Sequence, residues 1–215
     1  MTTWYTSVDS PFQSLLLTSD GAALTGLYMV AHEPGPAMGD DWVHDEAAPF
    51  AEARRQLAAY FAGALKEFDL PLAMKGASFH QRVWDELKRI PYGSIITYAE
   101  LARRVGNPRA SRAVGQANGR NPISIIVPCH RVIGATGRLI GYGGGLPQKQ
   151  ALLNLEASVL ASPSAVQFQI MRRRYLRCDL RPGGPHNPSV RAARKPPSLI
   201  NYPGQLPYST FQTLT

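Results

Sequence analysis

From Thr97 to Gly115 the chain is punctuated so tightly that two short helices joined by a fixed corner are the natural outcome. Thr97-Tyr98-Ala99-Glu100 has the form of a capping box, in which hydroxyl and carboxylate each satisfy an orphan backbone N–H at a helix start. Leu101 and Val105 follow on one face, and Gly106 supplies the left-handed residue that stops a helix. Asn107-Pro108 is then expected to cap and begin the next helix, since proline is tolerated in a first turn. This is a helix-turn-helix pattern, although any two-helix corner satisfies the same signals.

A further helix precedes the pair. Ser78-Phe79-His80-Gln81 again has the capping-box form; Phe79, Val83, Trp84 and Leu87 share a face, and Pro91-Tyr92-Gly93 ends the segment. Downstream, the apolar run Ile125-Ile126-Val127 meets Pro128, which fixes its own backbone angle and biases Val127 toward an extended form. The expected result is a buried strand that turns sharply and presents Cys129. A free thiol titrates near ~8.5, so a basic neighbour such as His130 matters for the thiolate fraction. Taken alone, the Cys-His pair fits an inert buried thiol better than a nucleophile, because free cysteine is among the most buried residue types.

The surroundings change that balance. Thr97 to Gly115, Asn121-Pro122, Pro128-Cys129-His130-Arg131-Val132, Gly141-Tyr142-Gly143-Gly144-Gly145 and a helix carrying Glu156 occur in the order and spacing of one family. From about Ser78 to Glu156 the chain resembles the O6-alkylguanine-DNA alkyltransferases, suicidal DNA-repair proteins that move an alkyl group from guanine O6, and from thymine O4, onto their own cysteine. The resemblance implies Cys129 as nucleophile, His130 as its base, Glu156 as the group that orients the imidazole, and Tyr98 as proton donor to the departing base. Asn121 would tie the turn after the second helix to the active-site strand. Val132 and Gly143 would line the pocket through backbone groups, with Tyr142 as a wall.

Ala110, Ala113, Gly115 and Ala117 leave the second helix little side chain with which to read base edges, and favour close approach instead. By resemblance this helix, with Ala113 and Gly115 at the contact, enters the minor groove of alkylated double-stranded DNA, where readout is degenerate. Arg112 would fill the stack vacated by the flipped nucleotide; a phosphate-contacting arginine is the alternative. Flipping is required because the alkyl carbon is out of a sulfur's reach within a stacked duplex.

Residues 1 to 75 read as a separate α/β unit. Ser14–Thr18 and Ala23–Val30 form a candidate hairpin, and Phe50–Phe61 is helical by period, with Gly63 near its end. The weaker resemblance here, through Tyr60-Phe61-Ala62-Gly63 and Phe68-Asp69-Leu70, implies a ribonuclease-H-like domain without chemistry of its own. The acids Asp40, Asp41 and Asp45 are read as solvated, so no metal is expected. Residues 76 to 160 would form the DNA-binding and alkyl-transfer domain, mainly helical and winged-helix-like by resemblance.

Charge follows the same division. Residues 1–75 carry net −6, residues 76–160 net +7 and residues 161–215 net +7. A basic segment that holds both thiol and helix-turn-helix suits a polyanionic partner. No apolar run approaches the ~18 residues of a membrane helix, and the start lacks a signal-peptide plan. A cytoplasmic monomer with no cofactor and no membrane partner is expected. Two cysteines make neither a disulfide framework nor a zinc site, and Cys178 is read as incidental. The stretch 161–215, with eight prolines and Met171-Arg172-Arg173-Arg174-Tyr175, reads as disordered; a DNA-tethering arm and a functionless end are both open. Two other functions stand beside alkyl transfer: a Cys-His-Glu hydrolase, which needs no helix-turn-helix, and a non-catalytic DNA-binding regulator, which needs no Cys129. The glycine run is a poor phosphate loop, lacking a Walker lysine.

Overall fold

The computed structural model describes residues 2–29, 36, 38–45 and 49–161, which lie within one compact unit. The expected tail beyond Ala161, including Cys178, lies outside the described residues. The first half is a four-stranded sheet and a helix. Strands β1 (Thr3–Val8), β2 (Leu15–Ser19) and β3 (Leu24–Met29) are antiparallel neighbours, and β4 (Trp42–His44) pairs parallel to β1, giving the order β3-β2-β1-β4. The expected hairpin is therefore the β2–β3 pair. Helix α1 (Phe50–Phe61) buries Phe50, Ala53, Leu57 and Tyr60, and Gly63 adopts φ +74° just beyond it.

The second half holds α2 (Ser78–Lys88), β5 (Ile96–Thr97), α3 (Tyr98–Arg104), α4 (Ser111–Gly119), β6 (Val132–Ile133) and α5 (Leu146–Ala161). Strands β5 and β6 pair in parallel, which brings Thr97 beside Ile133. Thr97 caps α3 as expected, its hydroxyl accepting from the Glu100 N–H at 3.1 Å, and Gly106 stops the helix at φ +81°. Trp84 donates its indole N–H to the Ala117 carbonyl at 2.8 Å, pinning α2 to α4.

Three local expectations need correction. Ser78 is not a cap: Ala77 occupies the cap position in extended conformation, Ser78 is already helical, and the Gln81 N–H bonds the Ala77 carbonyl. Asn107-Pro108 does not begin α4. Asn107 to Ala110 close a separate turn, the Ala110 N–H reaching the Asn107 carbonyl at 3.0 Å, and the helix starts at Ser111. Ile125 to Val127 are buried but are not a strand, for reasons that belong to the site.

Sheet and helices share one core. Leu15, Leu17, Leu24, Leu27 and Met29 belong to the same buried cluster as Val83, Leu87, Leu101, Val114, Ile123, Val127 and Leu152. The outer edge of β3 is not left open. The Leu24 N–H bonds the Pro71 carbonyl, the Leu27 N–H bonds the Pro122 carbonyl, and the Ser124 N–H returns to the Leu27 carbonyl at 3.0 Å. Residues of the first half thus hold the loop that leads to Cys129.

Candidate active site

Two consecutive γ-turns deliver the cysteine. Ile125 has φ +71°, the only described residue other than glycine with positive φ, and the Ile126 N–H bonds the Ser124 carbonyl at 2.8 Å across it. This is the rare, strained form of the turn, and a β-branched residue is the least suited to it. Pro128, at φ −81° and ψ 63°, centres an inverse γ-turn, with the Cys129 N–H on the Val127 carbonyl at 2.8 Å. Cys129–Arg131 then forms one turn of 3-10 helix.

Strain of this kind persists only where the surroundings over-determine it. Here the buried Asn121 amide donates to the Val127 carbonyl at 2.8 Å, its oxygen accepts from the Ile123 N–H at 3.1 Å, and the β3 edge bonds both sides of Ile123. Burial of the Ile125 side chain in the core adds apolar stabilisation.

Behind the thiol lies a buried carboxylate with a complete shell. Glu156 Oε1 accepts from the Tyr60 hydroxyl at 2.8 Å and Arg131 Nη2 at 2.7 Å, and lies 3.0 Å from His130 Nε2; Oε2 accepts from the Gly93 N–H at 2.9 Å and Arg131 Nε at 3.0 Å. Arg131 also donates to the Ile90 carbonyl and lies over the Tyr92 ring. Burial alone raises a carboxyl pKa, but the hydrogen bonds and charges from His130 and Arg131 outweigh it and hold Glu156 at about 2.

That fixes the imidazole. Burial pushes His130 below its ordinary value, so it is neutral, and the ionised Glu156 accepts from Nε2–H. The contact is a hydrogen bond rather than an ion pair. Nδ1 is then the basic nitrogen; it is buried and makes no hydrogen bond to the protein.

Burial pushes the Cys129 thiol up; the Asn121 side chain, the Lys149 charge and the Ser124 hydroxyl oppose it. The thiol is only 4% exposed. At rest it is protonated, and a base has work to do.

The opposite wall comes from α3, the 140–145 segment and α5. The Tyr98 hydroxyl donates to the Ile140 carbonyl at 3.0 Å, with the Gly141 carbonyl at 3.3 Å, and burial pushes its pKa up to about 12. Asn118 reaches both the Tyr98 oxygen and the Cys129 carbonyl. Val132 is buried with its carbonyl facing Lys149, and the Tyr142 hydroxyl is buried without a hydrogen bond. Gly143 is half-buried. Gly144 packs so closely that an added Cβ would lie 2.3 Å from Met29 Sδ.

The structure therefore brings Cys129, His130, Glu156, Asn121, Tyr98, Val132 and Tyr142 together in one region of the fold. Arg112 and Ala113 stand apart, exposed on the outer face of α4, while Gly115 lies beneath the Tyr98 ring, an added Cβ falling 3.8 Å from it. Arg103, Arg104, Arg109 and Arg120 are exposed around that face.

Sequence reasoning gave no role to Arg131, Lys149, Tyr60, Ser124 or Asn118. One signal was present: Lys149, Leu152 and Glu156, at i, i+3 and i+7, form the buried stripe of α5, with charges at both ends of an otherwise apolar face.

Residues 78–158 match the DNA-binding domain of 6-O-methylguanine DNA methyltransferase, and residues 3–74 match the ribonuclease-like domain of the same proteins. A methylated-DNA–protein-cysteine methyltransferase of Methanosarcina acetivorans is 52% identical over 155 residues, covering 72% of this chain and 99% of the relative. One from Mycobacterium tuberculosis is 53% identical over 154 residues, covering 72% and 92%. Among solved structures, Mycobacterium tuberculosis OGT in complex with DNA is similar with a TM-score of 0.68 at 51% identity, covering 73% of this chain and 94% of that one.

Proposed function

The chain belongs to the 6-O-methylguanine DNA methyltransferase family, and from that membership we propose that Cys129 takes one alkyl group from guanine O6 in double-stranded DNA and keeps it. The observation that carries the assignment to this residue is the buried His130–Glu156 pair directly after Cys129 in the chain, in which an ionised carboxylate leaves the neutral imidazole with Nδ1 as its base. The sulfur attacks the alkyl carbon, the C–O bond breaks as the S–C bond forms, and guanine departs with the electron pair. His130 accepts the thiol proton. Tyr98 gives its proton to a ring nitrogen of the leaving base and is the donor best placed by its position on the facing wall. The proton held by His130 then makes good the one lost by Tyr98, so the net proton passes from thiol to guanine, and no cofactor enters the balance.

The β5–β6 pair beside α2, α3 and α4 supports the winged-helix-like reading, with a domain boundary near residue 75. The small-residue face of α4, with exposed Arg112 and Ala113, is suited to the minor groove, where Arg112 would replace the flipped nucleotide in the stack. Guanine O6 is the principal substrate and thymine O4 a second of like chemistry. The protein acts as a monomer in the cytoplasm.

Intact mass after mixing with a duplex that contains O6-methylguanine tests this directly. The protein should gain one methyl group on Cys129 and then stop, and Cys129→Ser should gain none while still binding DNA. Demethylation of more than one O6-methylguanine per protein would instead mark a turning-over hydrolase.

A further inference from the structure

Lys149 is fully buried, and the reaction described above does not use it. Its ammonium donates to three carbonyls, Val132 at 2.6 Å, Ile140 at 2.9 Å and Gly141 at 3.2 Å, which exhausts its three protons. An unpaired buried lysine would be costly, so this arrangement is a built one. Two of its acceptors are also those of Tyr98.

We propose, resting on the alkyl-transfer reading, that Lys149 is a positioning residue of the reaction: its ammonium gathers three carbonyls into one wall of the thiol pocket and sets a positive charge toward Cys129. The shared acceptors give it a specific task. When Tyr98 turns its proton toward the leaving guanine, the Ile140 and Gly141 carbonyls would be orphaned; Lys149 keeps both satisfied, so Tyr98 is free to donate. The Val132 carbonyl, having two lone pairs, keeps one for the base. The ammonium also favours the thiolate over the thiol in a site where burial does the reverse.

The groups that face the ammonium are the Cys129 thiol, the Tyr98 ring with its centroid 5.8 Å away, and His130. Burial brings Lys149 down to about 8, whereas Tyr98 stands at about 12 and His130 is already neutral. Of these groups Lys149 is the one that loses its charge as the pH rises through about 8, and the competent state needs it protonated while His130 takes the thiol proton.

The test is the single-turnover rate with saturating protein and an O6-methylguanine duplex, from pH 6 to 10. The wild-type rate should rise, pass a maximum and fall by pH 10. Lys149→Met should be about tenfold slower at pH 7, because the charge that opposes burial at the thiol is gone, and should rise without a descending limb. Lys149→Arg, which keeps its charge at every pH used, should recover most of the rate at pH 7, also without the descending limb. A wild-type profile with no descending limb overturns the proposal even if Lys149→Met fails to fold, and so does a Lys149→Met profile that superimposes on wild type. In either case methyl transfer by the wild type leaves the alkyl-transfer reading intact; no transfer by the wild type would end that reading instead.

Discussion

A fully buried carboxylate is tolerated only when its lone pairs are used, and Glu156 is surrounded by donors from three parts of the chain: α1, the turn after α2, and the 3-10 turn, which supplies both Arg131 and the imidazole it orients. Its loss therefore has two consequences. Glu156→Gln leaves Arg131 as an uncompensated buried cation, which should cost about 3 kcal/mol of stability. It also removes the charge that fixes the His130 tautomer and stabilises the imidazolium, which should slow methyl transfer on the order of 100-fold. The pH dependence has a definite sign. With a folded pKa of about 2 against an ordinary 4.5, Glu156 contributes stability that is complete above pH 4.5 and is lost as pH falls toward 2. His130, depressed below 6.5, adds a loss in the same direction that starts nearer pH 6.5. Denaturant unfolding from pH 7 to 2 should show the wild type losing on the order of 2 kcal/mol more than Glu156→Gln across the lower window. Parallel curves would mean that the carboxylate is not held ionised by its shell.

At the scale of elements, α4 divides cleanly into a buried side of Val114, Ala117 and Asn118 and an exposed side of Arg112, Ala113 and Gln116. Arg112→Ala should slow methyl transfer from duplex DNA at least tenfold yet leave reaction with free O6-alkylguanine base nearly unchanged, because the free base has no stack to leave. Comparable losses on both substrates would place the arginine in the fold of the pocket instead. Elements whose limits are set locally were legible in the sequence: Thr97 caps and Gly106 stops α3 by chemistry contained within a few residues. Those set by tertiary contacts were not. Ser78 and Asn107 carry cap-forming side chains at positions where the backbone did not use them. Ile125-Ile126-Val127 has strand propensity, but the Asn121 amide and the β3 edge hold it in turns, so tertiary structure overrides it. The cysteine, its histidine and the pocket loop were visible as motifs. Lys149 and Arg131 were hidden because a lone cation on a helix or in a loop is ordinarily solvated.

Over the whole molecule, the half with no proposed chemistry bears directly on the half that has it. Strand β3 supports the loop before Cys129 through Leu27, α1 supplies Tyr60 to Glu156, and Met29 closes on the pocket segment at Gly144. The last contact allows these roles to be tested apart from folding. In Gly144→Ala the new methyl would meet Met29 Sδ at 2.3 Å and a Tyr142 ring carbon at 3.0 Å, so either the buried Met29 side chain repacks or the segment shifts away from the sheet. Overpacking of this kind costs about 1–3 kcal/mol, and displacement of Tyr142 and Gly143 should slow methyl transfer as well. Met29→Ala removes the obstructing sulfur but leaves a void of its own. In the double variant the methyl enters that void, so the two losses should be less than additive by about 1 kcal/mol or more, with part of the transfer rate restored. Strict additivity in both stability and rate would show that the pocket segment relaxes without reference to the sheet, and that the N-terminal half supports the site only through Leu27 and Tyr60.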